Sequence, residues 1–213
     1  MLKSEKTRRI ILQKAKELFY AQGYNQCSIA QIQSSSQNSS IHYYYKSKKD
    51  ISTKIFYEYL LNLNREITKN DLFLEDENLL LFSVMYIALH HFFIEDSANS
   101  RYILETLFEC KDGYMEMIEL IFLGAFKNIS LKNGQVLQID SCTFNILIIL
   151  YSIEVTFSKF VDDNTFQLEE SIMKIIYFSG KIFDLPKKSI EEKIQKMQKI
   201  LNIEDFHSIK LLN

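Results

Sequence analysis

The chain has 213 residues, of which 47% are apolar and 24% charged, and its formal net charge is −2. Such a composition is typical of a soluble globular protein. The sequence contains one proline and five glycines, so long helices are favoured. Cys27, Cys110 and Cys142 are far apart, which excludes a disulfide framework or a zinc site and fits free thiols in a reducing cytoplasm.

The N-terminal residues are charged and helical in pattern, without the apolar stretch and small-residue cleavage site of a signal peptide. The longest uncharged apolar run, residues 78–94, falls short of the roughly 20 residues of a transmembrane helix. We therefore interpret residues 78–94 as a buried core helix and expect a cytoplasmic protein.

Charge is distributed unevenly along the chain. Residues 1–54 contain ten Lys or Arg and three acidic residues, a net charge of +7, whereas the remainder contains 15 basic and 24 acidic residues, a net charge of −9. A basic segment on an acidic protein indicates that the first quarter of the chain meets a polyanion. A solvated helix face is the alternative explanation for the same charges.

The first predicted helix covers residues 7–22, where apolar residues recur at helical spacing, and Gly23 ends it as a C-cap. A short second helix follows, for which Cys27 or Ser28 is the N-cap. Its apolar side includes Ile32.

A serine-rich run then leads to a third short helix, with Asn38 as its N-cap and Tyr44 near its end. Ser47 and Asp50 resemble a capping box that opens a long fourth helix running past Leu63. Two short helices joined by a tight connection, after a supporting helix and inside a basic segment, describe a helix-turn-helix.

The ordered residues of this segment resemble the DNA-binding signature of the tetracycline-repressor (TetR) family. The resemblance rests on AKELFYAQGYNQCSIAQI, residues 15–32, and IHYYYKSKKDI, residues 41–51. The matching residues are Ala15, Leu18, Phe19, Gly23, Tyr24, Ser28, Ile29, Ile32, Ile41, Tyr44, Tyr45, Lys46 and Lys48. The resemblance covers the first quarter of the chain. It implies an all-α fold, with an N-terminal three-helix helix-turn-helix domain over residues 1–50 and a helical-bundle ligand-binding and dimerisation domain over residues 51–213.

The function that the resemblance implies is that of a ligand-responsive repressor, which binds double-stranded palindromic DNA as a homodimer and has no cofactor. Small polar residues at the start of the third helix would approach base edges, and groups at its far end would hold phosphates. The base-reading candidates are Gln37, Asn38, Ser39 and Ser40, and the other DNA-contacting candidates are Ser28, His42, Tyr43, Tyr44, Lys46 and Lys48. Tyr45 stands where the family has a core phenylalanine, so we expect it to pack inside.

The sequence departs from the family between Ile32 and Ile41, where only QSSSQNSS stands. The family usually has two more residues there, including an alanine pair, a glycine and a valine. In this chain no glycine supplies a turn with positive φ, and no apolar residue seals the turn onto the core. The alternative function is therefore a protein-interaction module that keeps the repressor fold but no longer binds DNA.

The rest of the sequence predicts further helices over residues 79–94, 101–110, 114–128, 136–161, 166–185 and 189–201. The nucleophile-elbow, P-loop and His-Glu-x-x-His signatures are absent, so an enzyme is the weakest interpretation. His90 and His91, with Glu95 one turn on, provide too few ligands for a metal site. A core or interface histidine is the expectation instead.

The resemblance places dimerisation on two long helices near the C-terminus, here residues 136–161 and 166–185. In the second helix a broad apolar stripe could face both its own core and a partner, or be wholly intramolecular. The dimer-interface candidates are Leu168, Ile172, Ile176, Ser179 and Phe183.

Aromatic residues of the middle helices predict a pocket for an apolar or aromatic small-molecule effector, and a metal effector is not expected. The pocket candidates are Tyr86, His90, Phe93, Tyr102, Phe108, Phe122, Phe126 and Glu154. Aromatic residues at helical spacing are more often simply part of a core, which is the alternative for each of them.

Overall fold

The computed structural model describes residues 3–38, 40–107, 109–110, 112–114, 116, 168–182 and 185–212. Most of these residues are helical and none of them lies in a β-strand, which confirms the predicted all-α class. The helices are α1 (Lys3–Gln22), α2 (Ile29–Ser35), α3 (Ile41–Tyr44), α4 (Lys48–Ile67), α5 (Asp71–Leu74), α6 (Glu77–His90), α7 (the helical residues of the range 97–116), α8 (Leu168–Ile182) and α9 (Lys187–Ile200). A π-helical turn, His91–Glu95, stands between α6 and α7, and a 3-10 turn, Ile203–Phe206, follows α9.

The contacts divide the chain into two compact units. The described residues up to Leu61, those from His91 to 116 and those from Ile209 onward form the first unit, and the other described residues form the second. The predicted boundary between residues 50 and 51 divides the chain by function. A division by contacts does not test it, so this boundary stays a prediction. The predicted helices over residues 114–128 and 136–161 lie almost wholly outside the described residues.

Gly23 at the end of α1 and the N-caps Ser28 and Ser47 are confirmed, although the Asp50 carboxylate accepts from the Lys46 N–H and so completes no capping box at α4. Ser28 forms a capping box with Gln31 at the start of α2, and the Ser47 hydroxyl accepts a hydrogen bond from the backbone N–H of Asp50 at the start of α4. The N-cap of α3, however, is Ser40 and not Asn38. The Asn38 side chain instead accepts a hydrogen bond from the Ser40 N–H at 3.0 Å. α3 is therefore a single turn that begins later than predicted.

The core of the first unit has a chain of buried hydroxyl groups between α4 and α7. Ser52 Oγ lies 2.6 Å from Tyr102 Oη and 2.8 Å from Tyr114 Oη. Tyr114 donates to Thr106 Oγ1 at 2.8 Å, and Thr106 donates to the Tyr102 carbonyl at 2.8 Å. All four residues are at most 2% exposed. Because each hydroxyl can donate to the next, the chain satisfies every buried hydroxyl without water.

Close packing surrounds this chain of hydroxyl groups. A Cβ added at Gly113 of α7 would lie 2.5 Å from Thr53 Oγ1, so only glycine allows α4 and α7 to approach this closely. The rings of Phe56 and Tyr114 stack with centroids 4.1 Å apart. Burial raises the pKa of Tyr102 and of Tyr114, so both hydroxyls stay protonated and remain hydrogen-bond donors.

The π-helical turn contains a buried histidine. His91 is 1% exposed, its Nδ1 lies 2.9 Å from Tyr59 Oη, and its Nε2 lies 3.6 Å from Glu95 Oε2. The Asn99 side chain donates to the His91 carbonyl, and Lys210 pairs with Glu95 at 2.7 Å. His91 is thus a core histidine, as predicted. No cluster of three or more metal-ligating side chains occurs among the described residues.

The second unit packs α8 against α6 and α9. A Cβ added at Gly180 would come within 2.7 Å of the Ile190 side chain and 3.1 Å of Phe82, so α8 approaches both neighbouring helices closely. Tyr86 of α6 donates to Glu169 of α8 at 2.7 Å. Glycine at this position therefore allows close helix packing within one chain.

Three of the dimer-interface candidates are buried within the single chain, and the dimer interface stays a prediction. Ile172, Ile176 and Ser179 are each 0% exposed within the single chain, so their side chains belong to its own core. The apolar stripe of α8 is explained at these positions by intramolecular packing. The side chain of Leu168 and the whole of Phe183 lie outside the described residues.

One stretch, Asn78–Glu95, is long and apolar enough to cross a membrane by length and composition. Within the protein 56% of it is buried. A core helix of a soluble protein passes the same test, so this stretch is weak evidence for a membrane span, in line with its interpretation as a core helix.

Ser52→Ala removes the central member of the hydroxyl chain. We expect the free energy of unfolding to fall by about 1–3 kcal/mol, because the buried Tyr102 and Tyr114 hydroxyls each lose a partner. Urea unfolding followed by circular dichroism measures the change. Ser34→Ala, at an exposed position of α2, is the matched control and should stay within about 0.5 kcal/mol of the parent. Equal midpoints for the two variants would show that the hydroxyl chain contributes nothing.

Asp76 and Lys193 form a part-buried ion pair between the start of α6 and α9. Burial alone would raise the pKa of Asp76, but hydrogen bonds from Lys193 and the Leu79 N–H outweigh it and hold the pKa below its ordinary value. A depressed carboxyl pKa stabilises the folded state above the unfolded pKa of about 3.9, and this stabilisation is lost as the pH falls through the folded pKa.

Asp76→Asn keeps the N-cap but removes the charge. The variant should be less stable than the parent by about 1 kcal/mol at pH 7, and the difference should shrink below about pH 4. Thermal unfolding across this pH range measures it. Glu192→Gln breaks an ion pair whose side chains are 88% and 65% exposed, and it should have almost no effect. A difference that is constant with pH would contradict the assignment to the Asp76 charge.

Candidate nucleic-acid interface

The connection between α1 and α2 begins at Gly23, which has φ +87° and donates its N–H to the Phe19 carbonyl at 2.9 Å. The left-handed conformation favours glycine and ends α1 as predicted. Tyr24 follows and is 0% exposed, with its ring 5.3 Å from that of Phe19. The Cys27 N–H closes a turn onto the Tyr24 carbonyl at 3.1 Å. Ser28 then caps α2.

Three polar side chains of α7, the α7 row (Arg101, Glu105 and Glu109), hold this connection from one side. They are spaced one helical turn apart, so they share a face. Arg101 donates to the Tyr20 carbonyl, Glu105 accepts from the Asn25 N–H at 3.0 Å, and Glu109 accepts from the Tyr24 hydroxyl at 2.8 Å. Burial raises the pKa of Tyr24, and Cys110 and Glu109 raise it further, so the hydroxyl stays a donor.

Lys48, the first residue of α4, holds the same connection from the other side. Its ammonium donates to the Tyr24 carbonyl at 2.9 Å and to the Cys27 carbonyl at 3.0 Å, and it lies 3.9 Å from the centroid of the Tyr24 ring. Hydrogen bonds to charged groups contribute about 1.5–3 kcal/mol each, and solvent at this half-buried position reduces that contribution. The cation–π contact adds about 0.5–1 kcal/mol.

The turn between α2 and α3 has a defined conformation although it lacks glycine. Gln37 has φ +51°. Its N–H donates to the Ser34 carbonyl and the Asn38 N–H donates to the Gln33 carbonyl, each at 3.1 Å. This pair of hydrogen bonds is the Schellman motif, in which glycine usually occupies the left-handed position. The turn has no glycine, and Gln37 adopts the left-handed conformation in its place.

α3 turns its apolar residues inward and its polar and aromatic residues outward. Ile41 is 0% exposed, and Tyr45 is 8% exposed, which confirms the packing role predicted for Tyr45. Tyr43 is 79% exposed, His42 is exposed, and Tyr44 is half-buried with its ring edge-on to that of Tyr43.

The other DNA-contacting candidates lie around this turn. Ser28 and Ser40 are exposed, and Ser40 makes no side-chain capping hydrogen bond. Gln37 is exposed and Asn38 half-buried, with the Asn38 side-chain oxygen bonded within the turn. Ser39 lies outside the described residues.

At the start of α4, an acidic side chain accepts a backbone hydrogen bond that a phosphate could otherwise accept. Asp50 accepts a hydrogen bond from the Lys46 N–H at 2.9 Å, while its own N–H donates to Ser47. With Lys48 directed to the α1–α2 connection, this helix start offers fewer donors to a phosphate than its sequence indicates. The Lys46 side chain is exposed.

Exposed cations of α1 extend the basic surface. Lys6, Arg8 and Arg9 are exposed. Burial and the Glu58 carboxylate raise the pKa of Tyr45 to about 12, against the opposing effect of the positive charge of Arg8. No acidic residue occurs between Glu17 and Asp50 in the sequence.

The effector-pocket candidates are only partly described. Phe108, Phe122, Phe126 and Glu154 lie outside the described residues. Tyr102 is a fully buried member of the hydroxyl chain, and Tyr86 is 9% exposed and bonded to Glu169, so both have structural roles. His90 and Phe93 are half-buried. Tyr86 and Tyr102 thus belong to the core, whereas the effector pocket stays a prediction.

Sequence reasoning missed the α7 row and the inward direction of Lys48. A signal for the row exists, because Arg101, Glu105 and Glu109 are charged residues at helical spacing on an otherwise apolar helix. What they bind depends on long-range packing, which spacing does not reveal. Nothing in the sequence distinguishes a lysine that bonds carbonyl groups from one that reaches into solvent.

Gln37→Gly tests the strain in the turn. Glycine adopts the left-handed conformation without the cost of about 1–2 kcal/mol that a side chain incurs, although its unfolded chain is more flexible. We expect the variant to be more stable by about 0.5–1 kcal/mol in thermal unfolding. Ala30→Gly, at an exposed position inside α2, should be less stable by about 1 kcal/mol. Destabilisation by both substitutions would contradict the strained turn.

Comparison with known proteins adds no assignment to this geometry. No protein-family model matches the chain, and no curated protein is significantly similar to it. The functional conclusion therefore depends on the residues themselves.

Proposed function

We propose that the protein is a DNA-binding transcriptional regulator, in which α2 and α3 act as a helix-turn-helix of the kind found in the TetR family. The observation that carries the proposal is the outward face of α3. Ile41 and Tyr45 are buried, while His42, Tyr43 and Lys46 are directed to solvent. One aromatic, one imidazole and one ammonium group are thus presented within five residues, on a segment without acids.

The arrangement suits a nucleic acid for physical reasons. An exposed tyrosine such as Tyr43 carries a hydroxyl that can donate to a phosphate and a ring that can pack on a sugar or a thymine methyl. Lys46 and the α1 cations Lys6, Arg8 and Arg9 provide the charge that releases counterions from the backbone. Ser40, exposed at the start of α3, is short enough to reach a base edge.

Dimerisation, an effector and a cytoplasmic location complete the proposal. A homodimer would present two copies of α3 to half-sites about 34–36 Å apart, one turn of the double helix. The single chain already buries the side chains of Ile172, Ile176 and Ser179, so we propose that the interface uses other residues. We propose repression released by an apolar or aromatic effector, in line with the TetR-like first quarter of the sequence.

The deciding experiment is a gel-shift titration on the upstream region of the protein's own gene. Lys46→Ala should weaken binding to every duplex and flatten the slope of log K against log salt by about 0.9 per subunit, or about 2 per dimer. The exposed Lys199→Ala on α9 changes the charge equally and should leave both affinity and slope unchanged.

Two outcomes argue against the proposal. Folded protein that shifts no fragment at low salt would favour the protein-interaction module. An equal effect of the Lys46 and Lys199 substitutions would show that only net charge matters and that α3 is not the binding surface.

A further inference from the structure

We propose that Lys48 is a positioning residue, which ties together the two ends of the α2–α3 segment and does not itself contact a DNA phosphate. The inference rests on the proposed function, because what it positions is the DNA-binding surface. It replaces the phosphate contact that the sequence indicates for this residue.

The contacts of the ammonium account for most of its bonding capacity. A lysine has three N–H donors, and two of them reach the Tyr24 and Cys27 carbonyls at 2.9 and 3.0 Å. The charge also lies 3.9 Å from the centroid of the Tyr24 ring. All three contacts direct the side chain toward the α1–α2 connection.

The position of these contacts in the chain gives the tie its effect. Cys27 directly precedes Ser28, the N-cap of α2, and Lys48 directly follows Ser47, the residue that caps α4. The segment 28–47 contains both α2 and α3. The Lys48 side chain therefore links Lys48, which directly follows this segment, to Cys27, which directly precedes it. A segment whose ends are held together has fewer orientations available relative to α1 and α4.

The tie fits a segment that has little packing of its own. α2 has one buried residue, Ile32, and α3 has one, Ile41. Their relative placement therefore depends on what holds the ends. Loss of the Lys48 contacts would make the DNA-competent orientation a minor state. The apparent affinity would then equal the intrinsic affinity multiplied by the fraction of protein in that orientation.

The test compares Lys48→Met and Lys48→Arg with the parent on operator and random duplexes of equal length over a range of salt concentrations. For Lys48→Met we expect a loss of about tenfold in operator affinity, little change on random DNA and an unchanged salt slope. Lys48→Arg can still donate to two carbonyls and stack on the ring, so it should recover most of the loss.

Two results would overturn the inference. A salt slope flatter by about 0.9 per subunit on both duplexes would identify a phosphate contact. An equal loss on both duplexes with an unchanged slope would indicate a smaller folded fraction and no positioning role.

A measurement without DNA separates this inference from the proposed function. Amide hydrogen exchange at Ser28 and Gln31, whose N–H groups form the capping box, should become about tenfold faster in Lys48→Met. Lys46→Met is the matched control and should not change it. Unchanged exchange in Lys48→Met would refute the tie. Faster exchange in a protein that binds no DNA would retain the tie and reject the regulator.

Discussion

The placement of α2 and α3 depends on the short connection from Gly23 to Ser28. Each helix fully buries a single isoleucine, and burying such a side chain is worth only about 1.5–3 kcal/mol. Packing alone therefore fixes neither helix firmly. The connection is instead held on both sides by polar contacts, with the α7 row on one side and the Lys48 ammonium on the other. The placement of these two short helices thus depends on contacts made outside both of them.

One face of α4 organises the first unit around this connection. Lys48 bonds the connection, Ser52 one turn later centres the hydroxyl chain, and Phe56 a further turn on stacks on Tyr114. The spacing of four residues places these side chains in one row along the helix. A helix shift that disturbed one of the contacts would disturb the others, because all of them join α4 to α7 or to the residues that α7 holds. The buried hydroxyl chain makes such a shift costly, since a broken member leaves an unsatisfied group in the core.

Local signals predicted what local interactions determine. The apolar spacing of α1, the left-handed Gly23 and the caps Ser28 and Ser47 depend on neighbouring residues, and the structure has all of them. The start of α3 was misplaced because every residue of the run QSSSQNSS is polar and several can cap a helix, while no apolar repeat marks where the helix begins. Only the hydrogen bonds of the formed turn distinguish Ser40 from Asn38.

Sequence patterns do not predict which distant residues pack against a helix face or bond a side chain. The α8 stripe is apolar enough to face a partner, yet Ile172 and Ile176 are buried within the single chain, where α8 packs against α6 and α9. Periodicity shows that a face is buried but not what buries it. The direction of Lys48 has the same cause, because the two carbonyls it bonds are more than 20 residues away along the chain.

The polar turn between α2 and α3 explains why the outward face of α3 is so rich in functional groups. A turn sealed by an apolar side chain would gain its stability from the core. Here the Schellman hydrogen bonds at Gln37 and Asn38 stabilise it, together with Ser36, whose hydroxyl donates to the Gln33 carbonyl at 3.2 Å. Local hydrogen bonds hold the turn, and from α3 and its C-cap only Ile41 and Tyr45 are buried in the core. His42 and Tyr43 of α3 therefore remain exposed.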